Sequence, residues 1–218
     1  MAGNRRCSRD LTRIESAKLS ATLDLLRHGE VAGGMACFRG RQDDPLTAQG
    51  WQQMTRRLER FAPTTGWTQI ISSPARRCAE FAAELSTTQS CPLMVEQALS
   101  ERDFGAWEGQ AVAAIAPADL ANFWADPLGF TPAEAEPMAM FIQRVNSAWQ
   151  QIVEQPPAHG LMITHGGVIR VILGAVLGIA AQRLTLIEVP PACFTRLRLP
   201  TAPGMLPTLV LHCPLDVE

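Results

Sequence analysis

Leu23-Asp24-Leu25-Leu26-Arg27-His28-Gly29-Glu30-Val31 is the stretch from which the fold of this chain can be worked out. Its apolar residues lead directly into an arginine and a histidine, which predicts a short buried strand that places Arg27 and His28 at the rim of a sheet. Open α/β sheets bind their ligands at that rim. An arginine and a histidine in this position can also form an ordinary rim pair, so other segments of the chain must decide between the two interpretations.

Strand and helix patterns alternate along most of the chain. Apolar residues at spacings of three and four predict a helix over 47–61 with Thr47 as N-cap. Ser73 and Pro74 are predicted to cap and open the next helix. The other predicted elements are strands at 22–27, 66–72, 93–96, 160–164, 184–189, 193–199 and 209–212 and helices at 110–122, 137–154 and 168–177. The alternation predicts an α/β fold, a three-layer α/β/α sandwich with a mainly parallel central sheet and an antiparallel edge.

Length and composition limit the class of protein. The chain has 218 residues, 47% of them hydrophobic, which predicts a single domain at 22–218 after a flexible N-terminal extension at 1–21. A formal net charge of -2 predicts neither a basic surface that binds nucleic acid nor a basic patch that binds a membrane surface. No apolar run is long enough for a membrane span. The six cysteines lack close pairing and metal-ligand spacing, which predicts reduced thiols, a cytoplasmic location and no metal site.

A second histidine follows a second predicted strand, in His165-Gly166-Gly167. In a mainly parallel sheet this histidine and His28 are expected at the same rim, where a neutral imidazole can attack phosphorus. Arg27 and Arg77 are the candidate clamps, because the planar guanidinium donates two parallel hydrogen bonds to a phosphoryl group. The first N–H groups of the helix after His165, including that of Gly166, add an anion site. Glu101 is the candidate acid that protonates the leaving alkoxide.

Four motifs, met in order along the chain, resemble those of the histidine phosphatase superfamily with its phosphoglycerate-mutase-like fold. They are Arg27-His28-Gly29-Glu30, Ser72-Ser73-Pro74 with Arg77, Leu99-Ser100-Glu101 with Gly105-Ala106-Trp107-Glu108-Gly109, and Thr164-His165-Gly166-Gly167-Val168-Ile169-Arg170. The resemblance implies that His28 is phosphorylated, that Arg27, Arg77 and His165 hold the phosphoryl group, and that Glu101 is the proton donor. It also implies that neither a metal nor an organic cofactor takes part.

Further segments resemble the bacterial α-ribazole phosphatases within that superfamily. They are Gly33-Gly34, Phe38-Arg39-Gly40, Asp43-Asp44-Pro45-Leu46-Thr47, Phe123-Trp124-Ala125-Asp126-Pro127 and Phe130-Thr131-Pro132. The resemblance implies a small phosphorylated substrate, α-ribazole phosphate or a cobalamin phosphate, cleaved by a monomer or homodimer. Arg39, Gly40 and Gly166 are the candidate substrate-binding residues, although Arg39 and Gly40 also fit a plain turn. Val31 departs from the pattern, since many relatives carry Ser or Thr after the glutamate.

Each candidate site residue also has a purely structural interpretation. Motif position favours Arg77 over Arg76, the structural alternative being that both arginines are solvated charges on a helix. Motif position also favours Glu101 over Glu108, which is expected to support the loop. The tryptophans Trp51, Trp124 and Trp149 are expected in the core. A broad sugar or nucleotide phosphatase and, less favoured, a cofactor-dependent phosphoglycerate mutase remain alternative functions. The absence of Lys and Arg between Gly109 and Pro137 counts against the mutase, which needs a second anion site.

Overall fold

One mixed sheet organises the chain in the computed structural model, which describes residues 20–33, 37–200 and 204–214. Its strands are β1 (Ser20–Arg27), β2 (Gln69–Ser72), β3 (Leu93–Val95), β4 (His159–Thr164), β5 (Phe194–Pro200) and β6 (Thr208–Cys213). Their order across the sheet is β3-β2-β4-β1-β5-β6. The first four strands are parallel, whereas β5 runs antiparallel to both β1 and β6. The predicted mainly parallel sheet with an antiparallel edge is therefore confirmed.

Helices cover both faces of this sheet. They are α1 (Ala48–Phe61), α2 (Arg76–Gln89), α3 (Pro117–Ala125), α4 (Met138–Glu154) and α5 (Gly166–Leu177). Neighbouring residues of β1 point to opposite faces, so Leu25 packs with α4 and α5 while Leu26 packs with α1 and α2. The two buried clusters on either side of the sheet confirm the three-layer sandwich. α1 begins as predicted, because the Thr47 side chain accepts a hydrogen bond from the N–H of Gly50.

The register between β1 and β4 brings two distant parts of the chain to one point on the rim. Arg27 and Thr164, the last residues of the two strands, are paired across the sheet. The N–H of His28 then donates to the carbonyl of Thr164 at 2.9 Å, which continues the pairing by one residue. His28 and His165 consequently leave the sheet side by side.

Two predicted helix starts differ from the structure. α2 begins at Arg76 rather than at Pro74, and its N-cap residue is Ala75, which has no side chain that could cap it. The carboxylate of Asp43 instead accepts a hydrogen bond from the N–H of Arg76 at 2.8 Å. Ser73 is instead engaged by a histidine of the neighbouring strand, as described below. The single helix predicted over 110–122 is wrong, because the chain forms a 3-10 turn at Val112–Ala114 and starts the separate helix α3 at Pro117. A proline at the first helical position favours a new start over the continuation of an existing helix.

The segment before β5 and the start of β1 also differ from the prediction. The strand predicted at 184–189 is wrong, because Ala181–Leu186 form a 3-10 helix. Leu184 packs on Gly174 of α5, where an added Cβ would come within 2.4 Å of the leucine side chain, so this segment follows the helix rather than the sheet. β1 begins at Ser20, two residues before the predicted start. Of the predicted extension at 1–21, residues 1–19 lie outside the described residues.

Candidate active site

The two histidines predicted at the rim lie next to each other. The ring centroids of His28 and His165 are 5.3 Å apart and the rings meet edge to face. Both side chains are buried, and each follows directly on the last residue of its strand. Glycines follow both histidines, so the surrounding backbone carries no side chain that would block a ligand.

His28 presents a bare nitrogen to this site. Its Nδ1 lies 2.8 Å from the carbonyl oxygen of Gly29, so Nδ1 carries the proton and donates it there. In the neutral ring this leaves Nε2 with a free lone pair. Burial, followed by the positive charges of Arg27 and Arg77, lowers the pKa of His28 well below its usual value. The ring is therefore neutral at pH 7, which is the form that acts as a nucleophile.

His165 is fixed by two contacts of opposite polarity. Its Nδ1 accepts a hydrogen bond from Nε of Arg77 at 3.3 Å, so its proton is on Nε2, which lies 2.7 Å from Oγ of Ser73. The pKa of His165 is lowered well below its usual value by burial and by the charge of Arg77. Ser73 lies two residues before Ala75, the N-cap of α2, and its Oγ also accepts a hydrogen bond from the N–H of Ala75 at 3.4 Å.

The two predicted arginine clamps are both at the rim. Arg27 donates from Nη1 to the carbonyl of Val189 at 2.6 Å, but its buried Nε has no hydrogen-bond partner among the described residues. Burial lowers the pKa of Arg27 to about 10. Arg77 is buried, whereas Arg76 is exposed and pairs with Glu80, so only Arg77 reaches the histidines. An unpaired buried N–H such as that of Arg27 is a donor ready for an anion.

Glu101 reaches the same site from the other side. Its carboxylate accepts hydrogen bonds from the N–H of Gly167 and the N–H of Arg102, both at 3.0 Å. The first of these places its charge at the N-terminus of α5, where the helix dipole stabilises an anion. A Cβ at Gly167 would come within 2.2 Å of this carboxylate, so a larger residue there would displace the Glu101 side chain from its position. Glu108 instead binds the N–H groups of Arg41 and Phe104, which holds a loop in place.

The three candidate substrate-binding residues have different surroundings. Arg39 pairs with Asp44, and its charge contributes to the lowered pKa of His28. Gly40 acts through its carbonyl oxygen, which accepts from Nη2 of Arg77 at 2.8 Å. Its positive φ of 49° favours glycine, and a Cβ there would come within 2.8 Å of the carbonyl oxygen of Arg102. Gly166 opens α5, and an added Cβ there would be 3.4 Å from the unpaired Nε of Arg27.

Comparison with known proteins identifies the family. A model of the histidine phosphatase superfamily (branch 1) matches residues 23–205. The chain belongs to this superfamily. The probable phosphoglycerate mutase GpmB of Citrobacter koseri is 30% identical over 165 residues, which cover 72% of this chain and 75% of that protein. The bifunctional protein Rv2228c of Mycobacterium tuberculosis is 29% identical over 157 residues, and these span 70% of this chain but only 43% of the mycobacterial protein.

Solved structures show the same fold. The structure of YhfR from Bacillus stearothermophilus superposes with a TM-score of 0.77 at 25% identity, covering 88% of this chain and 96% of that one. A putative α-ribazole-5′-P phosphatase from Escherichia coli gives a TM-score of 0.75 at 24% identity, covering 91% and 99% of the two chains. The fold is therefore the phosphoglycerate-mutase-like fold of the histidine phosphatase superfamily.

A residue not singled out in the sequence holds the Glu101 loop of this superfamily member. Arg144 of α4 donates to the carbonyls of Ala98 and Ser100 at 2.8 Å and to that of Glu101 at 3.0 Å. Its guanidinium also pairs with both carboxylate oxygens of Glu136, at 2.7 and 2.8 Å. The sequence could have indicated this role, because Arg144 lies three residues after Phe141 on the apolar stripe of its helix, where a charged side chain needs buried partners.

An aromatic pocket adjoins Glu101 and the start of α5. Its walls include Phe38, Phe104, Phe123, Trp124 and Phe141, with the polar groups of Glu101, Arg102 and Arg170. Trp149 is buried and Trp51 partly buried, as expected, but the expectation that Trp124 is a core residue is wrong, because 56% of it is exposed at the pocket. α3 buries Phe123 in a small aromatic cluster, and the half-exposed ring of Trp124 packs against it with the ring centres 4.9 Å apart.

Within the described ranges, no three His, Cys, Asp or Glu residues are grouped so that they could hold a metal ion. In the same part of the chain, every helix is too short or too polar to cross a membrane.

Proposed function

We propose that the chain is a phosphomonoesterase that works through a phosphohistidine at His28. The observation that carries this proposal is the neutral His28 ring, whose Nδ1 proton is donated to the carbonyl of Gly29 and whose Nε2 is left as a nucleophile. The preceding residue, Arg27, has a buried Nε without a hydrogen-bond partner among the described residues. A transferred phosphoryl group carries its charge on three equatorial oxygens, so its transfer depends chiefly on positioning and charge stabilisation. Arg27, Arg77, His165 and the N-terminus of α5 supply both.

The reaction has two steps. Nε2 of His28 attacks the phosphorus, the bond from phosphorus to the ester oxygen breaks, and the protonated carboxyl of Glu101 gives its proton to the leaving alkoxide. Water then attacks the phosphohistidine, its proton passes to the Glu101 carboxylate, and the bond between nitrogen and phosphorus breaks. Inorganic phosphate and the starting enzyme result, so the acid of the first step is the base of the second.

The proposed substrate is α-ribazole 5′-phosphate or a cobalamin 5′-phosphate. The aromatic pocket supports this choice, because a planar benzimidazole ring fits between aromatic side chains next to the group that protonates the ester oxygen. Exposed Trp124 at the pocket is the surface on which such a ring would stack. Relatives of similar fold that are named α-ribazole phosphatases agree with this substrate.

A broad sugar or nucleotide phosphatase is the second candidate. A solved structure of similar fold is a mycobacterial glucosyl-3-phosphoglycerate phosphatase, which superposes with a TM-score of 0.69. Aromatic walls also accept sugars and nucleobases, so the pocket does not by itself select a benzimidazole. The relative rates of hydrolysis of α-ribazole 5′-phosphate, a sugar phosphate and 3-phosphoglycerate decide between the candidates.

The test begins with 4-nitrophenyl phosphate in the presence of EDTA. We expect the wild type to hydrolyse it and His28→Ala to lose at least about 10³-fold in kcat, because the nucleophile is removed. An inert wild type, or an active His28→Ala variant, would contradict the phosphohistidine mechanism. His212→Ala is the matched control, since that histidine lies on the edge strand β6 and belongs neither to the rim site nor to the hydrogen bonds of buried Asp24.

Substrate choice is then measured as kcat/KM on α-ribazole 5′-phosphate, glucose 6-phosphate and 3-phosphoglycerate. We expect the first to exceed the others by about five- to tenfold, since stacking of one planar ring contributes on the order of 1 to 1.4 kcal/mol. Equal values would favour the broad phosphatase. Conversion of 3-phosphoglycerate into its 2-phospho isomer would favour a mutase.

A further inference from the structure

Arg102 is a buried cation that this reaction does not use. Its side chain is 1% exposed, and Nη1 and Nη2 both lack a hydrogen-bond partner within the described part of the chain. Among the described residues, the side chain of Arg102 makes one hydrogen bond, from Nε to the carbonyl of Glu136 at 2.8 Å. Burying a charged group without partners is costly, so two free donors on one guanidinium need an explanation.

The position of Arg102 suggests that explanation. The side chain lines the aromatic pocket, one residue after the proposed acid Glu101. Its guanidinium carbon is 5.5 Å from the ring centre of Phe104 and 5.6 Å from that of Phe123. These ring faces cover the cation, but they satisfy none of its hydrogen bonds. A ligand that shifts one ring would gain two N–H donors in a site shielded from water.

We propose that Arg102 binds an anionic oxygen on the leaving group of the substrate. The inference rests on the proposed phosphatase function and narrows its substrate class: a phosphate monoester whose planar leaving group carries a second negative charge, such as a carboxylate or a phosphodiester. Of the two proposed substrates, α-ribazole 5′-phosphate lies outside this class, because its leaving nucleoside has no second anion. A charged acceptor fits better than a neutral one, because a hydrogen bond between ions is about twice as strong as one between neutral groups. The planar fork of Arg102 matches both kinds of anion.

The other charged groups of the pocket agree with an anionic ligand. Arg170 also lines the pocket and has its Nε bound to the carbonyl of Ile187 at 2.8 Å. Glu101 is the carboxylate that faces the same space, and its oxygens accept from two backbone N–H groups. Two guanidinium groups against one carboxylate leave the pocket positive, which attracts an anion and disfavours a cation.

A pair of nearly isosteric substrates tests the proposal. These are 4-carboxyphenyl phosphate, which carries a second anion, and 4-carbamoylphenyl phosphate, which is neutral at that position. We expect the wild type to prefer the carboxylate in kcat/KM by about tenfold or more. Arg102→Met should reduce this preference below about twofold, and Arg102→Lys should retain part of it because the charge remains. Arg76→Met, which removes an exposed arginine outside the pocket, should keep the wild-type preference.

Each other outcome rejects one of the two proposals. Equal wild-type rates on the two substrates, or an unchanged preference in Arg102→Met, would overturn the role of Arg102. Thermal melting of both Arg102 variants establishes that they are folded, and the lysine variant provides the comparison should the methionine variant unfold. A wild type that hydrolyses neither ester would reject the phosphatase. Quenching of tryptophan fluorescence would then measure binding of the same pair, and a preference for the carboxylate that is lost in the Arg102 variants would keep the pocket assignment.

Discussion

Two buried charged clusters share strand β1, and they differ in whether their charges are satisfied. Asp24, in the middle of the strand, accepts hydrogen bonds from Arg196, His159 and Trp67 at 2.7 to 2.9 Å. Three residues later, Arg27 leaves its Nε without a partner among the described residues. Both clusters contain an arginine and a histidine, so residue types alone do not separate them. A satisfied cluster stabilises the fold, whereas a donor left unsatisfied marks a place where a ligand binds.

The largest expected effect comes from exchanging the two arginines for methionine. Arg27→Met should lower kcat/KM for phosphate esters by about 10³-fold, because a donor to the transferred phosphoryl group is lost, while the melting temperature changes little. Arg196→Met should do the opposite, costing on the order of 3 kcal/mol of unfolding free energy because buried Asp24 loses its main cation. Steady-state kinetics and urea unfolding measure both. An Arg196→Met protein that is stable but inactive would break the comparison.

A smaller effect is expected at Arg144, which belongs to neither cluster. Its hydrogen bonds within the described residues go to the carbonyls of the loop that carries Glu101 and to the carboxylate of Glu136, and its guanidinium packs 4.8 Å from the ring centre of Phe141. Arg144 itself does not line the aromatic pocket, so it positions the acid without contacting substrate. Arg144→Met should lower kcat by about 10- to 100-fold with little change in KM, since a misplaced proton donor slows the chemical step. Arg144→Lys should recover part of the loss. The pH profile of kcat measures the acid itself, and a loss confined to KM would reject the positioning role.

Motifs at strand ends could be predicted from the sequence, whereas the pocket could not. The runs ending in Arg27-His28 and Thr164-His165 are local patterns, and parallel pairing places their ends together whatever the loops do. The pocket is built from 3-10 turns, α3 and side chains that meet only in the folded chain. Trp124 was therefore expected in the core although it is exposed, and nothing in the local pattern around Arg102 indicated an unsatisfied guanidinium.

The smallest expected effect concerns stability against pH. The pKa values of His28 and His165 are lowered in the folded state, chiefly by burial. Below about pH 6.5 the unfolded chain therefore binds protons that the folded chain does not, and stability falls as the pH falls, by up to about 1.4 kcal/mol per histidine and pH unit. His28→Ala should show a shallower loss between pH 6.5 and 5.5 in urea unfolding. An identical slope in the two proteins would mean that His28 is not held neutral.

The central claim is that a phosphoryl group passes through Nε2 of His28, and trapping that intermediate tests it most directly. Glu101→Gln is mixed with 4-nitrophenyl phosphate, quenched in alkali, digested and examined by mass spectrometry and by ³¹P NMR. The account predicts a phosphohistidine on the peptide that contains His28, and this species accumulates in Glu101→Gln because water is no longer activated. The phosphohistidine is absent from the double variant that combines Glu101→Gln with His28→Ala. A phosphoryl group on another residue, or turnover by the wild type with no phosphohistidine in either protein, would contradict it.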